Sequence, residues 1–149
     1  MGNLLALHGG LFSGKTTLAK RLTYEGFALF SYTDLLKEYT AKALTACGIP
    51  TTLDDILADK ERFRTLIIAL GTMLDFDHGF GIREHIPPLL DRYENIVFDN
   101  VRFSSQMDIL AELGFRLVRI TTPEAIRRER AFNLGYNDHT FAQRLADET

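Results

Sequence analysis

Two patterns of apolar residues alternate along the chain. Leu4-Leu5-Ala6-Leu7, Phe27-Ala28-Leu29-Phe30, Asn95 to Phe98 and Phe115 to Thr121 are short apolar runs between turn-forming or polar residues. Runs of that length predict buried strands. Between them, apolar residues recur every three or four positions. Leu18, Ala19 and Leu22 do so from Lys15 to Tyr24, and Gly26 stops that helix. A helix capped by Thr33 or Asp34 is expected to run to about Cys47, where Gly48-Ile49-Pro50 ends it. A helical region follows from about Asp54 to Asp77, broken near Lys60, with Phe63, Leu66, Ile67, Leu70 and Leu74 as its apolar positions. Arg83 to Tyr93 reads as a further helix, with Pro87 and Pro88 awkward inside it. Ser104 or Ser105 caps a helix to Leu113, and Pro123 opens one that reaches about Leu134. The tail from Thr140 has helical spacing for a couple of turns.

Short buried strands separated by helices imply an α/β fold, a doubly wound parallel sheet with helices on both faces. The 149 residues suit one domain, 46% hydrophobic and 25% charged, with enough apolar mass for a real core. The net charge of −3 gives no general pull towards DNA or an anionic membrane. Cys47 is the one cysteine, which excludes an internal disulfide and a multi-cysteine metal site. It reads as a small core residue rather than a reactive thiol. Leu66 to Leu74, the longest apolar stretch, is interrupted by Gly71 and Thr72 and is too short to span a membrane. The N-terminal apolar run is too short for a secretion signal, so a cytoplasmic location is expected.

In a parallel sheet of this kind, ligands bind beyond the carboxyl ends of the strands. The stretch after the first strand reads His8-Gly9-Gly10-Leu11-Phe12-Ser13-Gly14-Lys15-Thr16-Thr17. Gly9-x4-Gly14-Lys15-Thr16 fits the pattern of a phosphate loop. The glycines let backbone N–H groups ring a phosphate, and Lys15 reaches the outer phosphates. Thr16 coordinates magnesium, and the next helix aims its positive end at the same place. The expected cofactors are ATP and Mg2+.

Further chemistry follows the other strands. Asp34, after the second strand, can orient or deprotonate an acceptor, hold magnesium-bound water, or cap a helix. Lys37, one turn on, reads as solvated first and substrate-binding second. Arg62 and Arg64 lie on an apolar-faced helix, and one of them can clamp a monophosphate. Asp99, Asn100 and Arg102 follow the third strand. Asp99 is the candidate metal carboxylate and Arg102 a second anion clamp. Asn100, a turn-forming residue, predicts that the strand has ended by Asp99. Arg127, Arg128 and Arg130 form either a solvated face with Glu129 or a lid that neutralises charge on a moving phosphoryl group.

"GxxxxGKTT", "SYTDLLKE", "RxLIIALGT" and "DNVRFSSQMD" occur in this order. In that respect the chain resembles the phage-type deoxynucleoside monophosphate kinases, relatives of adenylate and dephospho-coenzyme A kinases. The resemblance runs to about Thr121. It implies transfer of the γ-phosphoryl group of ATP to a deoxynucleoside monophosphate, with magnesium, in a single phosphate-loop kinase domain over 1–149. It also implies a monophosphate-binding helical insertion over about 34–94, a lid-like helix over about 123–134, and host cytoplasm if the gene is a phage's. Four positions depart from the family pattern. Asn100 and Gln106 stand where it has an aspartate and a glutamate, and Asp75 and Asp77 stand where an arginine is expected, with Arg83 next. A small-molecule nucleotide is thus the expected partner, with no membrane and with a homodimer left open. The alternatives are another acceptor, either dephospho-coenzyme A or a hydroxymethylated base in DNA, or a nucleotide-binding module with weak NTPase activity.

Overall fold

The computed structural model describes residues 2–74 and 79–146. It is an α/β structure with four parallel strands in the order β2-β3-β1-β4. These are β1 (Leu4–His8), β2 (Ala28–Phe30), β3 (Ile96–Val101) and β4 (Arg116–Arg119). The helices are α1 (Lys15–Tyr24), α2 (Tyr32–Ala46), α3 (Leu53–Ala58), α4 (Lys60–Met73), α5 (Phe80–Leu90), α6 (Ser104–Glu112), α7 (Glu124–Asn133) and α8 (Asp138–Ala146).

Side chains alternate across the strands and so feed two apolar layers. Leu4 and Ala6 of β1, with Ile96 and Phe98 of β3, face a core closed by Tyr32 and Leu36 of α2, Ile82 and Ile86 of α5, and Ile109 and Leu110 of α6. Leu5, Leu7 and Val97 face the other way, onto Ala19 and Leu22 of α1. The helices that follow β1 and β3 therefore lie on opposite faces, while the two strands are neighbours. That is a topological switch point, and in sheets of this kind ligands bind at the carboxyl ends of the two strands.

Several expected boundaries shift for physical reasons. The cap of α2 is Ser31, so Thr33 and Asp34 lie inside its first turn. The break near Lys60 falls at Asp59, whose side chain caps α4 by accepting from the Arg62 N–H. Leu66 is exposed on α4, and the core contacts come from Ile67 and Leu74. Helix α5 both starts and ends earlier than the pattern suggests, and its end at Leu90 leaves Pro87 and Pro88 in its last turn. Neither serine caps α6. Gln106 does so instead: its Oε1 accepts from the backbone N–H groups of Arg102 at 2.9 Å and Phe103 at 3.3 Å. Cys47, expected in the core, is exposed at the end of α2. Asp75 and Asp77 lie outside the described residues. No described helix is long and apolar enough to cross a membrane.

Candidate active site

The loop between β1 and α1 turns on Gly14, which is left-handed at φ 103° and forms the N-cap of α1. A side chain there would strain the turn, so glycine is required. Phe12 is also left-handed, at φ 59°. For a bulky residue that costs roughly 1–3 kcal/mol, and the cost must be offset by its surroundings. Its ring meets Tyr136 edge-on at 5.2 Å and lies 6.2 Å from Phe141, which is buried. The α7–α8 hairpin thus holds the loop in its strained shape.

The same hairpin supplies cations. The Arg127 Nε donates to the Leu11 carbonyl at 2.7 Å, and Arg130 Nη1 to the Phe12 carbonyl at 3.0 Å. Thr122, just before α7, donates to the Ser13 carbonyl at 2.8 Å. Lys15 turns its ammonium onto the carbonyls of Gly9 and Gly10, the latter at 2.7 Å. Three cationic side chains therefore bind loop carbonyls. Thr16 and Thr17 are exposed on the first turn of α1. At the end of β1, His8 has its pKa lowered by burial and by the positive charges of Arg119 and Lys15, which favours the neutral ring.

Arg128 does not join Arg127 and Arg130. It pairs with Glu124 at 3.0 Å and Asp138 at 3.4 Å, over the ring of Phe141. These contacts tie α7 to α8. On the expectation of ATP-dependent phosphoryl transfer, alanine at Arg127 or Arg130 should slow turnover about tenfold or more with little change in ATP affinity. Arg128→Ala should leave turnover within about twofold and cost under about 1 kcal/mol, because an exposed pair contributes little. Steady-state kinetics and melting curves of the three variants separate the roles.

Asp99 departs most from expectation. The strand does not end there but continues to Val101. Opposite β1, Ala6 pairs with Phe98 and His8 with Val101, so β3 carries one extra residue. Phe98 and Val101 both join the core layer although three positions apart. This β-bulge, not a turn at Asn100, re-aims the chain at the carboxyl end of β3. Asp99 is only 8% exposed, and its Oδ1 has no hydrogen-bond partner. Burial raises its pKa to about 6; a Ser31 hydrogen bond lowers it, Asp34 raises it and Lys37 lowers it. The charges acting on Asp99 thus come from α2.

Asp34 and Lys37 form an ion pair at 2.9 Å, with the Lys37 side chain only 15% exposed. Lys37 is therefore held, not solvated. Arg102 is exposed just beyond β3. Arg64 lies apart from these groups. It lines a cleft of about 870 Å³ between α4 and the α7–α8 hairpin, with Glu61, Tyr136, Thr140 and Arg144. The motif reading gave Ser31 of "SYTDLLKE" no role, and it missed Thr122, Tyr136, Phe141 and Arg144, because none of them stands at a recognisable spacing from the loop. The helical spacing of the tail from Thr140 marked only that a helix stands there.

No protein-family model matches the chain, and no curated protein matches it. Its chemistry rests on the residues described above.

Proposed function

We propose that the chain is an ATP-dependent kinase with a phosphate-loop nucleoside monophosphate kinase fold, transferring the γ-phosphoryl group to a deoxynucleoside monophosphate. The observation that carries the reading is the set of three cations, Lys15, Arg127 and Arg130, gathered on one strand–loop–helix turn at the switch point. A loop that only bound a nucleotide would need no arginines brought in from a distant helix. Cations that can leave loop carbonyls for phosphate oxygens suit a reaction in which charge moves between phosphates.

The residues present fit a magnesium ion. Asp99 offers a buried carboxylate oxygen without a partner, and Thr16 an exposed hydroxyl at the start of α1. Those two would hold the ion, which when bound screens the charge of the phosphates. In the reaction, an oxygen of the acceptor's phosphate attacks the γ-phosphorus, the bond to the β-phosphate oxygen breaks, and ADP leaves. Lys15 and the arginines stabilise the charge on the transferred group. Arg102, exposed just beyond β3, is assigned to the acceptor's anion.

An acceptor phosphate is already ionised near neutral pH and needs no base. Asp34 then orients the acceptor. A hydroxyl acceptor, as in dephospho-coenzyme A or a hydroxymethylated base, would need Asp34 to take its proton. The test incubates the protein with γ-labelled ATP, magnesium and each acceptor in turn, with the Asp34→Asn variant beside it. Label is expected in one or more monophosphates, with Asp34→Asn slowing transfer about tenfold. Label only in DNA or dephospho-coenzyme A, abolished by Asp34→Asn, would replace the acceptor. Label in water alone would leave a weak NTPase.

A further inference from the structure

We propose that Gly10 is a positioning residue, whose bare Cα is the seat that holds the Arg127 guanidinium against the phosphate loop in the orientation phosphoryl transfer needs. The proposal deepens the kinase reading and rests on it for the reaction.

The loop glycines stand under different constraints. Gly14 serves a left-handed turn. A side chain on Gly9 would meet backbone, with its Cβ 2.5 Å from the Ile120 carbonyl oxygen. Gly10 is different. Its φ is not positive, so its backbone does not call for glycine. The space beside its Cα does. A Cβ there would stand 2.8 Å from Arg127 Nη1 and nearer still to Cζ and Nη2, so the three nearest atoms all belong to one guanidinium. Those separations are well inside van der Waals contact, and a methyl and the guanidinium cannot share the place.

A guanidinium is flat and rigid, and a residue without a Cβ lets it approach the backbone closely. Arg127 Nε also donates to the Leu11 carbonyl at 2.7 Å, so the head is fixed by a charge-assisted hydrogen bond on one residue and by close packing on the one before it. Arg127 is accordingly half-buried, whereas Arg128 and Arg130 on the same helix are exposed. Gly10 meets a second cation as well, since its carbonyl accepts from Lys15 at 2.7 Å. One residue thus sets two of the charges on the loop, Lys15 through its oxygen and Arg127 through its missing side chain. Placement matters as much as charge here, because a group displaced by about 1 Å can lose about a hundredfold in rate. A methyl at Gly10 leaves Arg127 present and charged but moves its head. That head is the outer end of a flexible side chain, so the fold loses little when it shifts.

The test compares the wild-type chain with Gly10→Ala, Arg127→Ala and the double variant. It measures labelled transfer from ATP to the accepting monophosphate, and modification of the arginines by phenylglyoxal, read residue by residue by mass spectrometry. In Gly10→Ala, Arg127 should react severalfold faster, with Arg128 unchanged and the melting temperature little moved. Transfer should slow about tenfold. Adding Gly10→Ala to Arg127→Ala should cost no further rate, because the methyl acts through Arg127. The proposal is overturned if Gly10→Ala slows both backgrounds by the same factor, since the methyl would then obstruct the bound phosphate itself. It is also overturned if the reactivity of Arg127 does not rise, or if it rises with no change in rate. Should Gly10→Ala fail to fold, the double variant should fold, because the collision is gone; a double variant that is unfolded as well overturns the proposal. The two readings fail separately. Labelled product at full rate from Gly10→Ala sinks the positioning role and leaves the kinase. A more reactive Arg127 in Gly10→Ala, with labelled product from none of the proteins, leaves Gly10 as the seat of Arg127 and sinks the kinase.

Discussion

Lys15→Ala is expected to slow phosphoryl transfer about a thousandfold, the upper range for losing one preorganised donor to a developing charge. ATP affinity should fall much less, because the backbone N–H groups of the loop and the start of α1 still meet the phosphates. The structure adds an effect on the free protein. Lys15 donates to the carbonyls of Gly9 and Gly10, so its removal leaves two loop acceptors to water. That should cost about 1 kcal/mol, since the loop is only partly buried and water can replace the donor. Single-turnover kinetics with labelled ATP and a melting curve separate the two effects. Unchanged turnover would remove the phosphate-loop reading altogether.

Asp99→Asn should stabilise the protein while disabling it. Burial lifts the Asp99 pKa from 3.8 to about 6, so the folded chain holds that proton more tightly than the unfolded chain. Between those two values the folded state binds more protons, and stability falls as pH rises. Above about 6 the loss is complete and constant. In magnesium-free buffer it is on the order of 3 kcal/mol, at about 1.4 kcal/mol per pH unit. Asparagine has no charge to desolvate and keeps an acceptor oxygen for Ser31. Wild type and variant should thus melt alike near pH 4 and diverge towards pH 7, the variant higher. Transfer should meanwhile fall about a hundredfold, because an amide is a poorer partner for a hard cation. Denaturant titrations across pH, paired with rates across magnesium concentration, check both halves. A variant that is less stable at pH 7 and fully active would make Asp99 an ordinary buried carboxylate.

A charged group retained at a cost to stability is what a functional site looks like. The same logic applies to Phe12. Its left-handed backbone gives the loop its shape, and aromatic neighbours from the far end of the chain offset the strain.

The sequence by itself determined the alternation of strands and helices, the parallel sheet, and the loop at Gly9 to Thr17. Those features depend on local spacing, and local spacing is written in consecutive residues. Apolar runs bounded by glycine make strands wherever they pack, and Gly14-Lys15-Thr16 makes the same turn from its own backbone freedom. Tertiary structure decided which charges meet. Arg127 and Arg128 are adjacent in sequence, yet one side chain reaches the loop and the other pairs with Glu124 and Asp138, because helical neighbours project about 100° apart. Asp99 points where it does because β1 and β3 pair with one residue in excess, and register belongs to a pair of strands. Arg144 meets Glu61 across 83 residues because α8 packs through Phe141 and Phe12 onto the loop, a contact between segments that no spacing within either one encodes.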